Sequence, residues 1–248
     1  MRNGFRLAIE TSTAIGSVAL GRHEEVLEIR SLQEPRNHAR GFLPLVAEVC
    51  SKQGVTSQDI EMIFVSAGPG SFTGLRIGAT AARMLSLTSG CRLVAVPTLA
   101  VIAQNALQVK YTAPVKAMAP PSRVVVVLDA KRGHVFTGAF RLEEGRYAAE
   151  GEPIEAEPLS YLTDQVKRFG SCAVLGEGVF YHRDALAASG ATILPDSAYP
   201  PRPEVVYQLG CRLAAEGNFV DRRSFVPIYV RPPEAEEKWT AQRRSSPP

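Results

Sequence analysis

The 248-residue sequence predicts an α/β protein of two related lobes, each a mixed sheet flanked by helices. Three observations predict it. An apolar strand ends in an acid, a polar turn and a second strand, and this happens twice: LAIE-TSTAIG-SVAL around Glu10 and VVVVLD-AKRG-HVFTGAF around Asp129. Between the copies, an apolar run at 63–65 leads through Gly68-Pro69-Gly70-Ser71 into a long helical pattern that closes at Gly90. A composition of 45% hydrophobic and 21% charged residues is that of a chain able to bury a core.

The elements follow in order. Residues 5–9, 16–20 and 25–31 read as three strands joined by polar turns. Residues 37–53 place Phe42, Leu43, Val46, Val49 and Cys50 at helical spacing, with Gly54 as the stop. Pro44 should kink this helix or mark its true first turn. The glycine turn and the helix from Phe72 come next, then a strand at 92–96 and a helix at 99–107. Residues 110–122 hold Pro114, Pro120 and Pro121 and read as a linker. The pattern then restarts with strands at 124–128, 134–140 and 173–175 and a helix at 203–217. Residues 1–108 form the first lobe, 109–231 the second, and 232–248 a tail expected to be disordered. Two such halves suggest paired ribonuclease-H-like domains around a cleft.

Bulk properties exclude several classes. A net charge of +3 is too weak to argue nucleic-acid binding. The run at 7–9 is broken by Glu10, so no secretory leader is expected, and no stretch nears the ~20 apolar residues of a membrane helix. Cys50, Cys91, Cys172 and Cys211 form no CxxC pair and read as buried thiols in a reducing cytoplasm.

Three constellations could carry function. Glu10 and Asp129 end central strands, where carboxylates can hold magnesium and a nucleotide phosphate, or can cap a turn by accepting backbone N–H bonds. The turn with Gly68 and Gly70, beside Thr11 and Ser12, can present N–H groups to an anion; equally, Ser71 or Thr73 caps the helix. It lacks a P-loop lysine and the GxGxxG spacing. Gly74, Gly78 and Ala82 lie four residues apart on one helix face, where another helix, of this chain or of a partner, could approach closely. His38 is followed four residues later by Phe42, so no histidine pair forms a metal site.

The segments LAIETSTAIGSVAL, NHARGFLPLV, AGPGSFTGLRIGATAARML, VPTL, LDAKRGHVF and PIYVRP occur in the order of the TsaB (YeaZ) family, which the chain resembles over about residues 5–232. The resemblance implies two ribonuclease-H-like lobes of the actin-like, sugar-kinase and Hsp70 ATPase superfamily. It implies a cytoplasmic, non-catalytic scaffold that pairs with TsaD, the subunit that transfers a threonylcarbamoyl group to the adenosine beside the tRNA anticodon. TsaE, an ATPase, joins that pair. ATP and metal belong to those partners, this subunit binds no cofactor, and tRNA is reached through the complex. The interface implied is His38, Arg40, Leu43, Val46 and Val49 on the first helix, with Ser71, Thr73, Gly74, Arg76, Ile77, Gly78 and Ala81 on the second. A four-helix packing of two helices from each subunit would use the small stripe, and an isolated chain could pair with itself through the same face. TsaD carries an HxxxH metal motif where this chain has His38 and Phe42, and Glu10 stands where the family's strand usually ends in Asp. The alternative function for these residues is a magnesium-nucleotide-dependent ATPase or phosphotransferase using Glu10 and Asp129.

Overall fold

The structure, a computed structural model, describes residues 4–33, 38–109, 119–151 and 156–229, and only the backbone of 38 and 39. Most of the expected linker and all of the expected tail lie outside the described residues.

The first half runs β1 (Phe5–Glu10), β2 (Ser17–Arg22), β3 (Glu25–Ser31), α1 (His38–Lys52), β4 (Ile60–Ser66), α2 (Phe72–Ser89), β5 (Arg92–Val96) and α3 (Thr98–Asn105). Its sheet has the order β3-β2-β1-β4-β5, antiparallel through the first three strands and parallel from β1 to β5. The second half runs β6 (Arg123–Asp129), β7 (His134–Glu143), β8 (Arg146–Ala149), β9 (Glu157–Pro158), α4 (Leu159–Phe169), β10 (Ala173–Leu175), α5 (Val179–Ala188), β11 (Thr192–Ile193) and α6 (Pro203–Ala215). Its sheet reads β11-β10-β6-β7-β8, which is the same order of first, second, third, fourth and fifth strand viewed from the other edge. The repeat read from two strand–acid–turn patterns is therefore a repeat of topology, and each half has the strand order of a ribonuclease-H-like sheet.

Local chemistry explains the elements. The central strands β1, β4 and β6 are near-continuous apolar runs because both of their faces are covered. In α1, Phe42, Leu45, Val46 and Val49 turn to the sheet. The helix begins at His38, six residues before Pro44, so the proline is not its first turn. Pro44 sits on the exposed side, where water can satisfy the carbonyl it leaves without a donor. Ser71 caps α2, its Oγ accepting from Gly74 N–H at 3.3 Å, and Gly90 closes it in the left-handed conformation. Short helices and strands in the second half, α4 and α5 among them, were absent from the pattern reading. Only Leu162 and Val166 of α4 are buried, too few apolar positions to register as a period.

Two helices cross between the halves. Leu99, Ile102 and Ala103 of α3 belong to the second core, and Val101 of the same helix belongs to the layer behind the first sheet. Gln104 exchanges two hydrogen bonds with the backbone of Tyr147, and Asn105 donates to the carbonyls of Ala198 and Pro200. In return α6 lies on the first sheet, where Val205, Val206 and Tyr207 join Phe64 and Val94. Gly210 permits this approach, since a Cβ there would stand 2.2 Å from the Phe64 ring. The chain then returns along α2. Val220 N–H donates to Leu93 O, Phe225 enters the first core, and Ile228 N–H donates to Ala67 O. This last segment, residues 220–229, is a strap across the flank of the first lobe.

Candidate functional site

The turn after β1 and the turn before α2 fill each other. Ser71 N–H donates to Ser12 O at 2.7 Å, and Gly68 N–H donates to the Thr98 hydroxyl at 3.2 Å. A Cβ on Gly70 would stand 2.4 Å from Ser12 O. The Ser12 carbonyl thus takes a donor that an anion would need, and the glycines serve the close approach of two backbone turns.

Glu10 is fully buried. Its carboxylate accepts from Ser12 N–H at 2.6 Å, from the Ser12 hydroxyl at 2.5 Å and from the Ser66 hydroxyl. Burial raises its pKa above the ordinary carboxylate value, and the Ser12 and Ser66 hydrogen bonds pull the other way. The group pins β1 to the end of β4 and does not face a cleft, which corrects the metal-holding expectation and matches the turn-capping one. Asp129 behaves alike at the second lobe: it accepts from Lys131 N–H at 3.0 Å and pairs with Lys131 Nζ at 2.7 Å. Glu10, Thr11, Ser12, Gly70, Gly74 and Gly78 come together, whereas Asp129 accepts hydrogen bonds from Lys131 within its own turn. Among the described residues no group of three His, Cys, Asp or Glu side chains could hold a metal.

The small stripe of α2 also faces inward. A Cβ on Gly74 would stand 1.9 Å from Thr11 O, and one on Gly78 would stand 2.2 Å from Thr11 Oγ1. Ala82 is fully buried in the first core. The partner of this stripe is therefore β1 and its turn, neither α1 nor a second subunit. The expectation that a partner's helix would use it is corrected, because the space is occupied. Val46, Val49 and Ala81 are core residues as well, and Ile77 packs half-buried on the same core. Arg40, Leu43, Ser71, Thr73 and Arg76 are exposed, and the His38 side chain lies outside the described residues.

The opposite faces carry a different surface. On α2, Arg76, Thr80, Met84 and Leu87 recur at helical spacing and are exposed, Met84 by 52% and Leu87 by 54%. The neighbouring α1 exposes Leu43, Pro44 and Ala47. Beyond α2 the strap exposes Val226 by 62% and Ile228 by 48%. Sequence reasoning missed Thr80, Met84, Leu87 and the strap. The signal was present, since these helix positions are the complement of the core-facing ones, but the reading assigned Val46 and Val49 to both faces.

The family model described as TsaD, tRNA N6-adenosine threonylcarbamoyltransferase, matches residues 29–166, more than half of the chain. The tRNA threonylcarbamoyladenosine biosynthesis protein TsaB of Escherichia coli (strain K12) is 29% identical over 226 residues, covering 91% of this chain and 94% of that protein. The protein of the same description from Bacillus subtilis (strain 168) is 28% identical over 245 residues, covering 96% and 99%. The solved structure of YeaZ from Pseudomonas aeruginosa superposes with a TM-score of 0.73 at 25% identity, over 90% of this chain and all of that one.

Proposed function

This chain belongs to the TsaD family, with TsaB and YeaZ proteins among its relatives, and from that premise we propose that it is a scaffold subunit in threonylcarbamoyladenosine biosynthesis on tRNA. It pairs with a TsaD-type catalytic subunit through the outward faces of α1 and α2 and performs no chemistry alone. TsaE, the nucleotide and the metal belong to that assembly, which works in the cytoplasm. Among the described residues no helix is long and apolar enough to cross a membrane. The division into lobes at 108/109 stands as part of this proposal, with α3 and α6 exchanged across it.

The observation that carries the reading is the exposure of Met84 and Leu87 one turn apart on α2 and of Leu43 on the adjacent α1. Large exposed side chains grouped on one face, rather than scattered, mark a protein–protein surface. The closed turn around Ser12 and the saturated Glu10 carboxylate support the non-catalytic part, since neither offers a free group to a nucleotide.

Light scattering on a sizing column tests it, with the chain alone and mixed with the TsaD-type subunit of the same organism. A new species of one-to-one mass is expected. Leu87→Asp should abolish it at micromolar concentration, on the order of a tenfold or greater loss of affinity, while the variant melts like the parent. Absence of a wild-type complex, together with binding of magnesium-nucleotide by the lone chain, would replace this reading with the phosphotransferase one.

A further inference from the structure

The strap beside α2 is joined to it by charge and rings rather than by apolar packing alone. Arg83 donates from Nε to Arg222 O at 3.0 Å and from Nη2 to Arg223 O at 2.8 Å. Arg222 donates back to Ser86 O at 3.0 Å. At the other end Phe72 and Tyr229 stack with centroids 4.8 Å apart. Arg76 lies over both rings, its guanidinium 4.0 Å from the Phe72 centroid and 5.8 Å from that of Tyr229. Stacking fixes the plane of a guanidinium while leaving its donor edge free. Among the described residues no carboxylate forms a salt bridge with Arg76, Arg83 or Arg222.

The charges of α2 and the strap are one-sided. Helix α2 contains Arg76 and Arg83 and no acid. The strap contains Arg222, Arg223 and one acid, Asp221, whose carboxylate is taken up by Arg223 N–H and the Ser224 hydroxyl. Exposed Val226 and Ile228 alternate with buried Phe225 and Pro227, so the strap presents two apolar side chains beside the cationic row.

We propose that the strap is the third element of the partner surface, and that it selects a partner whose docking face combines apolar side chains with carboxylates. Val226 and Ile228 are the apolar anchors, and Arg76, held on Phe72 and Tyr229, takes a partner carboxylate. This rests on the scaffold reading above and adds partner chemistry to it.

The test measures affinity for the TsaD-type subunit with full-length variants Arg76→Glu and Val226→Asp, beside Leu87→Asp as the α2 control. All three positions are exposed, and melting curves check that the folds are kept. Each strap-side variant is expected to weaken the complex by about tenfold or more. Wild-type affinity should fall as salt rises from about 50 mM to about 500 mM, and Arg76→Glu should flatten that dependence. If Arg76→Glu and Val226→Asp bind like the parent while Leu87→Asp does not, the strap is outside the interface and the scaffold reading stands without it. If Leu87→Asp also binds like the parent, both readings fall.

Discussion

The inward and outward faces of α2 differ first in side-chain size. Inward, Gly74, Gly78 and Ala82 leave room for the Thr11 turn and β1, and the room is filled. Outward, Arg76, Thr80, Met84 and Leu87 project from the surface with apolar groups half exposed. A run of small residues thus records a contact the chain has already made with itself. On the scaffold reading proposed above, the row of large exposed ones is a contact still to be made. Read the other way round, the glycines look like an invitation to a partner, because a helix glycine costs ~1 kcal/mol relative to alanine and demands a reason.

Substitutions separate the two faces. Gly78→Leu should have the largest effect, about 3 kcal/mol of destabilisation in a urea titration, because even its Cβ would stand 2.2 Å from Thr11 Oγ1 and 3.4 Å from Ile9 Cγ2, leaving the rest of the leucine no room. A Gly78→Leu chain as stable as the parent, yet unable to pair, would return the stripe to the partner. Leu87→Asp is the mirror case, with a change within about 0.5 kcal/mol in stability and the loss of pairing described above. Ser71→Ala sits at the boundary of the faces. Removing the cap on Gly74 N–H should cost about 1 kcal/mol, roughly 2–4 °C in Tm, without touching the outward row.

Glu10 gives the smallest and most specific effect. Its pKa in the folded chain is raised, chiefly by burial, above the ordinary carboxylate value that holds in the unfolded chain. Between those two values the folded chain keeps a proton that the unfolded chain has lost. This group's contribution to stability is therefore full below the unfolded value and declines as pH rises through the folded one. Glu10→Gln keeps an acceptor for Ser12 and removes the titration. Its melting temperature should exceed the parent's increasingly as pH goes from about 4 to about 8. Equal slopes for the two chains would mean that Glu10 titrates alike folded and unfolded.

Much of the fold was legible because it is written locally. The strands at 25–31, 92–96 and 173–175 were read with the bounds they have, and the two strand–acid–turn units proved to be topological equivalents. The site was legible only in part. Leu43 and Arg76, assigned to a partner, are exposed, while Val46, Val49, Gly74, Gly78 and Ala81 were assigned to a partner and belong to the core. Periodicity shows that a helix has two faces and cannot say which one meets the sheet when a glycine row and an apolar row both qualify.

The sequence by itself determined the alternation of strand and helix, the stop of α2 at Gly90, its start at a Ser71 or Thr73 cap after a glycine turn, and the repeat, because each depends on backbone preferences and neighbours within a few residues. Tertiary structure alone decided that α3 and α6 exchange lobes, that Glu10 is sealed beneath Ser12 and Ser66, and that the strap lies along α2. Those outcomes turn on which surfaces, more than a hundred residues apart in some cases such as Arg83 and Arg222, shed water against each other. No local pattern carries that competition, since it is settled by the packing of the whole chain at once.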